Sequence, residues 1–93
     1  MSINLSRQRL YIVSRESVVE ARRLTDIDDD AVILLVGRGL FLPTKLFDKK
    51  HVYAISEEVK EQGLEGRLSP LIKCIPATEV IDLILDNTVL NFS

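Results

Sequence analysis

The run Ala31-Val32-Ile33-Leu34-Leu35-Val36 contains no polar side chain, and it limits the possible folds more than any other stretch. It is far too short to span a bilayer. Its residues are aliphatic and partly β-branched, which suits a strand. Successive side chains of a strand point to opposite faces, so an unbroken apolar run needs cover on both sides. A central strand of a parallel sheet, with helices above and below, meets that need. With 93 residues, the chain has room for one such domain, residues 1–93.

The rest of the chain alternates in the same sense. Leu10–Val13, His51–Ile55 and Leu71–Ile75 are short, apolar and rich in strand formers. Between them lie helix signals. Ser14 is placed to cap a helix over Arg15–Leu24, with Val18, Val19 and the stem of Arg22 facing inward. Pro43 suits the first turn of a short helix through Lys49. Ser56 with Glu57 and Glu58 gives a start, and Gly63 a stop. Thr78 is placed to cap a last helix whose Val80, Ile81, Ile84 and Leu85 share one face. Repeated strand–helix units predict an α/β fold, a small three-layer sandwich on a mainly parallel four- or five-stranded sheet. Lys73 inside the fourth strand predicts an edge position for it. Thr88–Phe92 is either a fifth strand or a contact surface.

Composition narrows the function. The net charge of −2 gives no electrostatic case for nucleic-acid binding. Arginines 7, 9, 15, 22 and 23 are followed at once by an acidic run, so mutual neutralisation is the plain expectation. A single cysteine, Cys74, excludes an internal disulfide, a CxxC pair and a cysteine-rich zinc site. No membrane partner is expected, and the opening MSINLSRQRL has no signal-type apolar stretch, so the default location is cytoplasmic. A hydrophobic content of 46% in so small a domain hints at an interface.

Ligands of open α/β sheets bind beyond the carboxyl ends of the strands. Those ends offer Ser14, the turn Gly37-Arg38-Gly39, Ser56-Glu57 and Pro76. Gly37, Arg38 and Gly39 are read either as a tight turn with a solvated arginine or as an anion or interface site. The turn matches neither a dinucleotide nor a Walker fingerprint. Cys74 is read either as a buried core thiol or as a persulfide carrier. His51, the only histidine, stands at the start of its strand, away from that rim. Asp26, Asp28, Asp29 and Asp30 form a solvated turn, because an EF-hand would need glycine where Ala31 stands. No catalytic set, metal site or cofactor is expected.

The stretch Val52-Tyr53-Ala54-Ile55, Glu58, then Gly63-Leu64-Glu65-Gly66-Arg67-Leu68-Ser69 resembles the pattern of the DsrH/TusB family of sulfur-relay proteins. Ile33–Leu40 and Ile72–Leu83 extend the likeness over nearly the whole chain. The resemblance implies a DsrE-like fold and a role in passing persulfide sulfur between proteins. The pathways served are 2-thiolation of the tRNA wobble uridine or sulfur oxidation. It also implies DsrE/TusD-like and DsrF/TusC-like partner subunits in a hexamer of heterotrimers, a homo-oligomer being the alternative. Sulfur-oxidising members carry a cysteine in the first helix. Here that helix has none, and Ala21 lies near its place, so a non-catalytic subunit is the expected role. Many relatives have Asp-Gly where Arg38-Gly39 stands.

Overall fold

A computed structural model describes residues 8–41, 47 and 51–92. Five strands form one sheet: β1 (Arg9–Val13), β2 (Ala31–Leu35), β3 (His51–Ile55), β4 (Ile72–Ile75) and β5 (Thr88–Phe92). The sheet order is β4-β3-β2-β1-β5, and every pairing is parallel. β2 lies at its centre. Helices α1 (Val18–Asp26), α2 (Ser56–Glu61) and α3 (Ala77–Asp86) connect the strands, and 3-10 turns at Arg15–Ser17 and Gly37–Phe41 complete the set.

All five residues of β2 are buried. Ala31, Ile33 and Leu35 pack with Tyr11, Val13, Val52, Ala54 and Ile72 against Ala21 of α1, Val59 of α2, Leu40 and Phe47. Val32 and Leu34 face the other way, packing with Leu10 and Ile75 against Val80 of α3. Three layers result, helices–sheet–helix, as the apolar run demands. The tail is a fifth strand. β4 is an edge strand, and its Lys73 is exposed.

Several inward faces differ from the pattern-based expectation. In α1 the buried residues are Ala21 and Thr25, with Val18 partly buried, while Val19 is 61% exposed. In α3 only Val80 is buried and Leu83 packs beside it. Ile81 (59%), Ile84 (39%) and Leu85 (70%) remain open to solvent. The apolar stripe of α3 is thus wider than the sheet contact beneath it. Thr78 is not the cap of α3, because the helix opens at Ala77 after Pro76, whose carbonyl accepts from Glu79 N–H. At its other end the buried Asn87 donates from Nδ2 to Leu83 O at 2.7 Å, which stops the helix and turns the chain into β5. The expected helix from Pro43 to Lys49 lies outside the described residues except for the buried Phe47.

The acidic run is also not a simple solvated turn. Asp28 is buried at the amino ends of β1 and β2. It accepts two hydrogen bonds from Arg9 (2.5 and 2.6 Å), one from Tyr11 Oη (2.9 Å) and one from Asp30 N–H (3.1 Å). The Arg9 hydrogen bonds hold the Asp28 carboxyl at about 2, below its usual 3.8. Burial first, and the bond to Asp28 second, push the Tyr11 phenol up to about 12. A second, looser pair joins Arg22 to Asp26 on α1 at 4.0 Å.

These shifts give a pH signature. The folded Asp28 carboxyl titrates below the unfolded one, so its stabilisation is complete above about pH 4 and is lost as pH falls toward 2. Tyr11 acts in the opposite sense, its contribution being complete below pH 10 and lost as pH rises toward 12. Asp28→Asn is expected to lower stability by roughly 2 kcal/mol at neutral pH and to flatten the acid limb. Urea unfolding across pH 2–7 checks both, and an acid limb unchanged in the variant would exclude Asp28 as its origin.

Candidate functional site at the carboxyl rim and the β4 edge

In an all-parallel sheet every strand delivers its carboxyl end to the same rim. This places Ser14, Gly37-Arg38-Gly39, Ser56-Glu57-Glu58 and Pro76 along one border, as the spacing predicts. Gly37 adopts φ +53, a region that disfavours side chains. Gly39 meets a different constraint, since a Cβ there would stand 2.7 Å from Val13 O. The turn is pressed against the end of β1, where Val36 N–H also donates to Val13 O at 3.0 Å.

Two glutamates of α2 brace this rim. Glu58 Oε1 accepts from Gly37 N–H at 3.0 Å, and Gln62 Nε2 donates to Gly37 O at 3.1 Å. Glu57 Oε1 accepts from Ala77 N–H at 3.0 Å, tying α2 to the start of α3. The amide that an external anion would seek is therefore engaged by a carboxylate of the same chain. Arg38 stays exposed. At the neighbouring strand end Ser14 N–H donates to Ser17 Oγ at 3.3 Å, fixing the entry to α1.

Within Gly63–Ser69, Gly63, Leu64 and Leu68 serve the fold. Gly63 (φ +68) donates to Lys60 O, and Leu64 N–H donates to Val59 O, the two bonds of a Schellman cap on α2. Gly66 is also left-handed, at φ +74. Leu64 and Leu68 pack on the core beneath α1 and α2. Glu65 and Arg67 are exposed.

Cys74 is exposed on β4, not buried in the core. Lys73 marks this strand as an edge in the sequence, and at the sheet border a strand has a neighbour on one side only, so the core reading of Cys74 does not hold. Ile72 packs in one core layer and Ile75 in the other. By strand alternation the Cys74 side chain lies on the α1/α2 side, and Lys73 on the α3 side. A groove of about 310 Å³ runs there, lined by Tyr53, Lys73, Cys74, Ile75, Glu79, Asp82, Leu83 and Asp86. Strand and helix patterns taken one at a time do not show this groove. Its sequence signal is Glu79, Asp82 and Asp86 at i, i+3 and i+7 on a helix without a basic residue.

Among the described residues no group of three metal-ligating side chains occurs. His51 is exposed at the opposite rim. No helix among the described residues is long and apolar enough to cross a membrane. Neither a family model nor a curated protein matches this chain.

The rim predicts contrasting costs. Gly39→Ala is expected to destabilise by about 1–3 kcal/mol, since backbone must move to admit the methyl. Glu58→Ala removes one largely exposed hydrogen bond and is expected to cost about 1 kcal/mol or less. Urea midpoints of the two variants read the difference, and a larger loss from Glu58→Ala would reverse this account of the rim.

Proposed function

We propose that this chain is a non-catalytic subunit of a cytoplasmic sulfur-relay complex of the DsrH/TusB kind. The complex would serve tRNA wobble-uridine 2-thiolation or sulfur oxidation. The observation that carries the reading is the resemblance of Val52–Ser69, set in a five-stranded parallel α/β sheet. Two further features support it. Ala21, which lies near the place where sulfur-oxidising members of that family carry a first-helix cysteine, is buried, and this fits a subunit that completes a site held by its neighbours. Ile81, Ile84 and Leu85 form an open aliphatic strip on α3, which fits burial against a companion chain.

A second reading draws on one observation, the exposure of Cys74. An accessible thiolate can attack the outer sulfur of a donor protein's persulfide, forming a new S–S bond on Cys74 as the donor's S–S bond breaks and its thiolate leaves, and in that reading the chain is itself a carrier. A stand-alone homo-oligomer is the third arrangement of the same fold.

A tagged form of the chain, purified from its native cytoplasm and weighed by native mass spectrometry, separates these. Two DsrE-like companions in equal amounts are the expected result. A lone homo-oligomer would end the complex reading. Loss of sulfur transfer in Cys74→Ser, at unchanged stability, would move the sulfur onto this chain.

A further inference from the structure

We infer that the β4 edge and the groove beside α3 form a docking site for an extended, lysine- or arginine-bearing peptide segment, which adds to the sheet as a sixth strand. The inference goes beyond the sulfur-relay reading and does not depend on it.

The first support is the backbone. β4 pairs with β3 and has no neighbour on its other side among the described residues. Ile72 N–H donates to Ser69 O at 3.0 Å instead of to β3. Strand alternation then turns the backbone of Ile72 and Cys74 outward and that of Lys73 and Ile75 toward β3. Cys74 thus offers both its N–H and its C=O to a partner, and Ile72 adds its C=O. Pro70 and Pro76 bracket the strand and limit an added segment to the length of Ile72–Ile75.

The second support is the groove. Its lining includes three consecutive β4 residues, Lys73, Cys74 and Ile75, so it follows the edge of the strand instead of one face alone. Its other wall is α3, through Glu79, Asp82, Leu83 and Asp86. A peptide paired to β4 would project alternate side chains toward that wall.

The third support is charge. Three carboxylates face a single ammonium, Lys73, and none of the four has an ion-pair partner among the described residues. Basic side chains at alternate positions of the peptide would meet Glu79, Asp82 and Asp86, while its other side chains would lie on the α1/α2 side of the edge. An acidic segment would be repelled by the same wall. So short an edge predicts weak, salt-sensitive binding.

The probe is a capped hexapeptide, Val-Lys-Val-Lys-Val-Lys, titrated into the intact chain and followed by amide NMR. Its controls are the Val/Glu counterpart and a version N-methylated at alternate residues. The Lys peptide is expected to shift the Cys74 amide, with a dissociation constant on the order of 10⁻⁴–10⁻³ M. At least tenfold weaker binding is expected for both control peptides, for Asp82→Lys combined with Asp86→Lys, and for Cys74→Pro. Proline at an outward edge position spares the β3 ladder. The N-methylated peptide keeps the test decisive even where Cys74→Pro fails to fold. No binding, equal binding of the Glu peptide, or equal binding of the N-methylated peptide would each overturn the inference. A native dimer that Cys74→Pro dissociates would assign the edge to a second copy, and would overturn it too.

Discussion

Everything in this fold answers to the burial of β2 on both faces. Each fully buried aliphatic side chain of that strand contributes roughly 1.5–3 kcal/mol relative to exposure, so neither face can be left wet. The two faces are nevertheless covered unequally. Beneath one lie α1, α2, Leu40, Phe47 and the leucines of the 64–68 turn. Over the other, among the described residues, lies α3 alone, and Ile12, Val36, Tyr53, Ile55 and Val89 are only partly buried at its margins. A helix about 10 Å across does not span five strands set about 4.8 Å apart. This mismatch is the physical source of the open groove at β4 and of the aliphatic strip on α3.

The sheet was readable because its signal is local. Ala31–Val36 declares burial on both faces without reference to any other residue, and Lys73 declares an edge. The helix faces were less readable, because a hydrophobic stripe records how much surface is apolar and not how much of it the sheet can reach. Val19, Ile81 and Leu85 satisfy the periodicity and still point outward. The core reading of Cys74 and the solvated-turn reading of Asp28 fail for opposite reasons. A thiol in a strand is usually covered, but here the sheet stops beside it. An aspartate in a run of four is usually solvated, but Arg9 and Tyr11, two strand positions nearly twenty residues earlier, converge on this one.

At the carboxyl rim, the candidate turn was found and its partners were not. Gly37 and Gly39 signal special backbone, and the structure explains each by a separate demand, a left-handed φ and a close approach to Val13. Glu58 and Gln62 lie more than twenty residues away, and no pattern links them to Gly37. The consequence for chemistry is that this rim is held by its own carboxylates. Among the described residues, the features open to partners include Arg38 at the border, the flank of α3 and the β4 edge.

The position of β5 has a consequence for how the molecule is made. β1, among the earliest strands to leave the ribosome, must hold its outer edge open until Thr88–Phe92 follows and pairs from Arg9↔Thr88 to Val13↔Phe92. Contacts between segments so distant in sequence slow the search for the native state. During synthesis the nascent sheet therefore exposes a bare apolar edge that invites pairing with other chains. A holdase that shields β1 until β5 arrives would matter more to the yield of this protein than to its finished stability.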